Sequence, residues 1–270
     1  CLVGSEMCIR DRARMTSTDD PSAPLVALRD VHKSFGDVVA VDGVTADIER
    51  CTSTALIGGN GAGKTTLLRL LAGVYRPTTG TAQFADGDLA LHRKRIGVMT
   101  ESTGLHLRLT AWENIRFHAR LFGMRDDVSR KKSEALAVQL GLGGALDRRT
   151  EGFSRGMRQK TALIRALVHE PELLLLDEPT AGLDVTSARA VRSLIASLVD
   201  EGRGVVWSTH DLLAARVCER VMVMHNARLV ADGRVDALLK EHDTASMEEL
   251  YLLLTKEATP EFQAGMEGVA

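Results

Sequence analysis

The sequence predicts an α/β fold in which helices flank a largely parallel sheet. From about residue 154 onward, apolar strands such as LLLLD (Leu173 to Asp177) alternate with amphipathic helices. This alternation is typical of strands joined by helical crossovers. Upstream, the glycine-rich stretch Gly58 to Thr66 follows an apolar strand and opens a leucine-rich helix, which repeats the strand–loop–helix order. With 270 residues and a hydrophobic share of 44%, the chain can bury a sizeable core.

The regions around this core have different patterns. Residues 25 to 57 contain β-branched runs broken by Gly-Asp and Asp-Gly turns, which predicts several strands. Residues 104–150 contain two amphipathic helical patterns, for which Thr110 and Ser129 are the expected caps. They predict a small helical subdomain inserted into the α/β core. A last amphipathic helix, capped by Ser246, is expected to end near Lys256.

The two ends of the chain are expected to lie outside the folded domain. The run CLVGSEMCIRD at residues 1–11 resembles a translated sequencing adapter and is interpreted as an assembly artefact, with Met15 as the expected start. Residues 12–24 are rich in Ser, Thr, Asp and Pro, so 1–24 is taken as an artefactual or flexible N-terminus. The domain is expected to cover 25–256, followed by a tail at 257–270.

Composition limits the partners. A formal net charge of -2 gives no basic field, so no nucleic acid partner is expected. The apolar runs are far shorter than the roughly 18 residues of a membrane span, so any membrane association would require another chain. Beyond the first 11 residues, Cys51 and Cys218 are interpreted as small core residues in a reducing cytoplasm.

The loop GGNGAGKTT (Gly58 to Thr66) fits the phosphate-binding pattern G-x-x-x-x-G-K-[ST]. Glycines allow successive backbone N–H groups to face a phosphate, and the helix that follows adds partial positive charge. Lys64 is expected to hold the β- and γ-phosphates of ATP, and Thr65 to ligate Mg²⁺. The motif alone leaves kinases, GTPases and other ATPases open. The residues assigned to nucleotide binding in this loop are Gly58, Asn60, Gly61, Ala62, Gly63, Lys64, Thr65 and Thr66.

Two acids end the apolar strand LLLLDE (Leu173 to Glu178). A carboxylate at the C-terminal end of a strand beside a phosphate loop can hold Mg²⁺, which assigns Asp177 to the metal. Glu178 lies one residue past the strand, where it can face the site and act as a general base on the attacking water.

Between these motifs, FSRGMRQK (Phe153 to Lys160) resembles the LSGGQ signature of the ABC ATPase family. Ser154 and Gly156 match, whereas Phe153, Arg155 and Met157 depart from the commonest form. The variant is similar to that of the drug- and sodium-export branch. The resemblance covers about residues 25–256.

The resemblance implies a P-loop NTPase core with an N-terminal antiparallel β subdomain and an inserted helical subdomain. It also implies a head-to-tail dimer in which Ser154 and Gly156 cap the ATP bound to the opposite subunit. Other matches make Phe35 the adenine-stacking residue, Asp184 a residue that couples the two sites, and His210 a γ-phosphate sensor that acts with Glu178 in catalysis.

Glu101 occupies the position where the family usually has the glutamine of its Q-loop. A carboxylate oxygen can also bind Mg²⁺, but it adds negative charge beside the phosphates and could shift metal affinity. Glu101 is therefore a third metal-site candidate, after Thr65 and Asp177. The residues that follow, about 102–123, correspond to the family's contact surface for a membrane subunit.

These features predict the ATP-binding and hydrolysing subunit of an ABC transporter, with ATP and Mg²⁺ as its cofactors. It would act at the cytoplasmic face of the cell membrane through a separate transmembrane permease and export a drug-like, lipid or ionic substrate. The working dimer could be a homodimer or a heterodimer. Two alternatives stay open: a soluble ABC ATPase acting on DNA or ribosomes, and a regulatory module that binds ATP without hydrolysing it.

Overall fold

The computed structural model describes residues 23–85 and 87–257. The expectations for the adapter-like run, for Met15 and for the tail from 258 onward lie outside the described residues. The strands are β1 (Val26–Phe35), β2 (Val38–Ile48), β3 (Thr52–Gly58), β4 (Thr79–Phe84), β5 (Gly87–Asp88), β6 (Ile96–Met99), β7 (Leu173–Asp177), β8 (Gly204–Thr209), β9 (Arg220–His225) and β10 (Arg228–Arg234). The helices are α1 (Lys64–Leu71), α2 (Ala111–Leu121), α3 (Asp126–Gln139), α4 (Arg155–Leu167), α5 (Val185–Asp200), α6 (Leu212–Ala215), α7 (Val235–Glu241) and α8 (Met247–Glu257).

The described strands form two sheets. A six-stranded sheet has the order β10-β9-β3-β8-β7-β6 and is parallel except for the β9–β10 hairpin. A four-stranded antiparallel sheet has the order β2-β1-β4-β5. The predicted α/β class, with a mainly parallel sheet and an N-terminal antiparallel β region, is confirmed.

Both faces of the parallel sheet are buried, and the alternation of side chains along β7 shows how. Leu174 and Leu176 pack into the core shared with α4, α5 and the helices α2 and α3. Leu173 and Leu175 face the other way, into the core shared with α1 and the antiparallel sheet. Burial on both faces explains why this strand is a continuous apolar run rather than an alternating one. All five residues of β7, including Asp177 at its end, are buried.

Helices α2 and α3 lie where the helical insertion was expected. Thr110 caps α2 as predicted: its hydroxyl accepts from Glu113 N, and the Glu113 carboxylate accepts from Thr110 N. The prediction for Ser129 was wrong, because α3 begins at Asp126 with Arg125 as the capping residue. Ser129 is buried inside the helix, where its hydroxyl donates to Arg125 O at 3.0 Å. A serine's preference for helix starts is overridden here because its hydroxyl bonds the preceding turn.

The two cysteines differ in environment. Cys218 is buried, as predicted; its Sγ accepts from Trp207 Nε1 at 2.7 Å, and burial raises the pKa of its thiol to about 11. The core assignment of Cys51 was wrong. It is exposed, with φ 52°, in the turn between β2 and β3.

Glu172, directly before β7, is hydrogen-bonded by two arginines. Its carboxylate accepts from Arg95 at 2.5 and 2.8 Å and from Arg50 at 2.9 Å. Burial alone would raise the pKa of Glu172, but the hydrogen bonds from Arg95 and Arg50 outweigh it and lower the pKa. We expect Glu172→Gln to lower the free energy of unfolding by about 1 kcal/mol near neutral pH, a value discounted for partial solvent exposure.

Because the pKa of Glu172 is lowered in the folded state, its stabilising effect is present above the ordinary carboxyl pKa and disappears as pH falls through the folded value. Urea unfolding should therefore show that the free energies of unfolding of wild type and Glu172→Gln differ less at acidic pH than at neutral pH. Glu134→Gln, at an exposed ion pair on α3, is the control and should change stability by less than about 0.5 kcal/mol. A Glu172→Gln deficit that is independent of pH would contradict this assignment.

Candidate active site

The loop between β3 and α1 is tightly enclosed by backbone from other strands. Gly63, with φ 102°, precedes the first helical residue, and a Cβ there would lie 2.4 Å from Ala40 O. A Cβ on Gly58 would lie 2.4 Å from Met224 O. These two close approaches require glycine, and they hold the loop against β2 and β9. The loop is thus fixed so that the N-terminus of α1 opens toward solvent-accessible space.

Lys64 is the first residue of α1 and folds back over the loop. Its ammonium donates to Gly58 O at 2.8 Å and to Gly59 O at 3.1 Å. Burial lowers the pKa of Lys64, while the negative charges of Glu178, Asp177 and Glu101 oppose that shift. The loop therefore presents a largely buried cation, together with helix N–H groups that lack intrahelical partners, and both favour an anionic ligand.

Asp177 is fixed from two sides. Its carboxylate accepts from Thr65 Oγ1 at 3.0 Å and from Ser208 Oγ at 2.6 Å, and the residue is only 6% exposed. A hydroxyl beside a carboxylate is a donor set that fits Mg²⁺, which is commonly held by one or two protein groups plus water and substrate phosphates. Among the described residues no group of three or more Asp, Glu, His or Cys side chains converges on a possible metal. Thr65 and Asp177 thus fit a magnesium ion whose remaining ligands would be water and the phosphates of a bound nucleotide.

Glu178 follows Asp177 with φ 52°, a left-handed conformation that is uncommon outside glycine. Its Oε1 is buried and makes no hydrogen bond within the described structure. His210 Nε2 lies 3.2 Å from that oxygen but without hydrogen-bonding geometry. Burial raises the pKa of Glu178, and the nearby charges of His210 and Lys64 partly offset this. A buried carboxylate with a raised pKa takes up a proton more readily than an ordinary glutamate does, which suits a general base.

A cavity of about 380 Å³ brings most of the predicted residues together. From the predicted set, its wall contains Asn60, Gly61, Ala62, Gly63, Lys64, Thr65, Thr66, Glu101, Asp177, Glu178 and His210. Gly58 lies behind this wall, where its carbonyl accepts from Lys64. Phe35, Ser154, Gly156 and Asp184 do not line the cavity.

Ser154 and Asp184 begin two helices beside each other. Ser154 caps α4 by accepting from Met157 N at 3.2 Å, and Asp184 caps α5 by accepting from Ser187 N at 2.9 Å. The two segments are in contact: a Cβ on Gly156 would lie 3.1 Å from Leu183 Cδ2, and one on Gly182 would lie 3.1 Å from the Arg155 guanidinium. The pKa of Asp184 is lowered by its hydrogen bonds from Ser187. These segments form a second polar surface, separate from the cavity.

Phe35 ends β1, and its ring is 44% exposed. It meets Tyr75 edge-on with ring centroids 5.2 Å apart, and Lys33 Nζ lies 5.0 Å from its centroid. Val38, Val39 and Ala40, on the next strand, line the cavity instead. Phe35 is therefore partly exposed but does not belong to the cavity wall.

Sequence reasoning missed two polar residues at the site. Ser208 is the next-to-last residue of β8; it donates to Asp177 and accepts from Glu178 N at 3.0 Å. Gln159 is buried on α4 and donates to Glu178 O at 2.7 Å. Hydroxyl side chains at the end of an apolar strand, Ser208 and Thr209, are the available signal for Ser208. Gln159 shows none, because its partner lies 19 residues away.

In the described part of the chain, no helix combines the length and the apolar character needed to cross a membrane.

Comparison with known sequences identifies relatives along most of the chain. A family model described as ABC transporter matches residues 41–181. The ABC transporter ATP-binding protein NatA of Bacillus subtilis is 33% identical over 84% of this chain and 97% of its own length. The Nod factor export ATP-binding protein I of Ralstonia nicotianae is 31% identical over 85% of this chain and 73% of its own.

Solved structures agree with these sequence relatives. An ATP-binding subunit of an ABC transporter superposes with a TM-score of 0.80 at 29% identity, covering 86% of this chain and 99% of the other. A dimeric ATP-binding cassette in a post-hydrolysis state with ADP and Pi gives a TM-score of 0.71 at 26% identity, covering 78% and 98%. Because the family model and the near full-length relatives agree with the fold and the phosphate loop, the chain belongs to the ABC transporter family as an ATP-binding protein.

Proposed function

We propose that this chain hydrolyses ATP with Mg²⁺ and thereby energises an exporter whose membrane subunit is a separate chain. The observation that carries this proposal is the buried Glu178 Oε1, which makes no hydrogen bond among the described residues and belongs to the same cavity as Lys64 and the Thr65–Asp177 pair. Burying a carboxylate oxygen without a hydrogen bond costs stability, so its presence beside the phosphate loop favours a chemical role over nucleotide binding alone.

The residues of the phosphate loop would hold the nucleotide. In this assignment the backbone N–H groups of 60–66 bind phosphate oxygens, and Lys64 exchanges its two loop carbonyls for the β- and γ-phosphates. Thr65 and Asp177 hold Mg²⁺, with Glu101 as a further candidate ligand. The bound ion would supply charge neutralisation on the phosphates. Phe35 would stack on the adenine.

Hydrolysis would proceed by transfer of the γ-phosphoryl group to water. The water oxygen forms a bond to the γ-phosphorus, the bond between that phosphorus and the bridging oxygen of ADP breaks, and Glu178 Oε1 takes the water proton. His210 donates a hydrogen bond to the γ-phosphate.

Ser154, Gly156 and Asp184 are assigned to a head-to-tail dimer. Their placement outside the cavity supports this assignment, because these residues would then serve the nucleotide of the opposite subunit. The dimeric arrangement of the structural neighbour with ADP and Pi supports it too. Binding of two nucleotides between the subunits would favour a closed dimer, and hydrolysis would release it, since a ligand shifts an equilibrium only toward the state that it binds better.

Helix α2 supplies the surface proposed for the membrane subunit. Phe117 and Leu121 lie one turn apart, 60% and 64% exposed. Two large apolar side chains on one exposed helix face are suited to receive a segment of another protein. Such a partner would place the chain at the cytoplasmic face of the membrane. The export function in one relative's name supports the direction of transport.

Purification from detergent-solubilised membranes of its native cell tests the transporter assignment. We expect a multi-span membrane protein to co-purify with the tagged chain. Phe117→Asp with Leu121→Asp should release it, whereas Val138→Asp, at an equally exposed valine on α3, should retain it. Consistent absence of a membrane protein from the wild-type preparation would contradict the assignment and favour a soluble role.

A further inference from the structure

Gln159 connects helix α4 to the residue proposed as general base. It lies in the second turn of α4, is 6% exposed, and donates from Nε2 to the main-chain oxygen of Glu178 at 2.7 Å. None of the roles described above uses this buried amide.

The main chain of Glu178 requires such support. A left-handed φ of 52° in a residue with a side chain persists only where its surroundings hold it. Ser208 Oγ accepts from Glu178 N at 3.0 Å, and Ala181 N donates to Glu178 O at 3.2 Å. The Ala181 bond stays within the same turn. Gln159 is therefore the side chain that anchors the carbonyl end of Glu178 to a separate element.

We propose that Gln159 is a positioning residue for ATP hydrolysis. By fixing the main chain of Glu178, it would keep the Glu178 carboxylate oriented toward the nucleotide cavity. The inference rests on the proposed function, in which Glu178 accepts the proton of the attacking water. Helix α4 starts directly after Ser154, the residue assigned to the nucleotide of the opposite subunit. The Gln159 amide therefore links that helix to Glu178, which acts on the nucleotide bound to the same chain.

The Gln159→Glu variant removes the donor while keeping shape. Above the pKa of the substituted carboxyl, which burial raises, its carboxylate cannot donate to Glu178 O, so we expect kcat at alkaline pH to fall about 10- to 100-fold. KM for ATP should stay within about threefold, because Gln159 does not line the cavity. As pH falls, the substituted carboxyl is protonated and can donate again, so kcat relative to wild type should rise. A merely structural loss would not recover in acid.

Two further variants control for folding. Gln159→Met preserves length without a donor, and it should show the same loss of kcat but no recovery in acid; it replaces the glutamate variant if that protein does not fold. Gln139→Glu makes the same exchange at the exposed last residue of α3 and should leave kcat within about twofold of wild type. Thermal unfolding of each variant verifies the folded state.

The Glu178→Gln background separates this inference from the proposed function. There, Gln159→Glu should produce little further loss of kcat, since both substitutions act on one group. If wild type hydrolyses ATP and Glu178→Gln does not, while Gln159→Glu and Gln159→Met retain wild-type kcat, the positioning role is overturned and the function stands. If folded wild type shows no hydrolysis, both are overturned.

Discussion

Replacing Glu178 by glutamine is expected to lower kcat for ATP hydrolysis by about 10²- to 10⁴-fold, because the isosteric amide cannot take the proton of the attacking water. ATP affinity should change by only a few fold, since Lys64 and Thr65 stay in place. Phosphate release measures kcat, and equilibrium titration with ATP measures affinity. Glu134→Gln on the exposed face of α3 is the matched control and should hydrolyse ATP at the wild-type rate.

The expected pH dependence of kcat in the wild type follows from the role of Glu178. A general base acts in its ionised form, and burial raises the pKa of Glu178. We therefore expect kcat to fall as pH decreases, beginning at a higher pH than an ordinary glutamate would produce. A kcat that is flat through the acidic range would contradict the assignment of Glu178 as the base.

Replacing Gly63 by alanine is expected to weaken ATP binding by more than about 100-fold, because the loop that holds the phosphates would have to move. The added Cβ would lie 2.4 Å from Ala40 O, a backbone atom that cannot rotate away, and φ at this position is 102°. Titration with ATP measures the loss.

Gly152→Ala is the control for the loop substitution. A Cβ there meets nothing within 4 Å, so ATP affinity should match that of wild type. If Gly63→Ala bound ATP as tightly as Gly152→Ala, the loop could not be the phosphate site in the conformation described.

The fold could be predicted from sequence wherever one local pattern decides the structure. The apolar run Leu173 to Leu176 indicates a strand buried on both faces, and Thr110 with Glu113 forms the capping box that its spacing predicts. Ser129 shows the limit of such reasoning. A serine near the start of a helical pattern is compatible with a cap or with a position inside the helix, and here Arg125 occupies the cap position while Ser129 lies inside α3.

In the candidate site, too, residues in local motifs were predictable, whereas contacts between distant segments were not. Sequence motifs predicted four of the site residues because each belongs to a short motif at or just after the end of a strand: Lys64, Thr65, Asp177 and Glu178. The hydrogen bonds that Gln159 and Ser208 make to Glu178 were not, since they join elements far apart in sequence. The left-handed φ of Glu178 could not be predicted either, because sequence patterns based on residue type do not specify the backbone conformation of a glutamate.

Phosphate release from ATP by the purified wild-type chain, compared with Lys64→Ala, tests the central claim most directly. With ATP and Mg²⁺ at saturating concentrations, we predict release well above the background without protein, and loss of that activity in Lys64→Ala. Lys131→Ala, at an exposed lysine on α3, should retain the wild-type rate. A wild-type rate no higher than that of Lys64→Ala would contradict the claim that this chain hydrolyses ATP at the loop between β3 and α1.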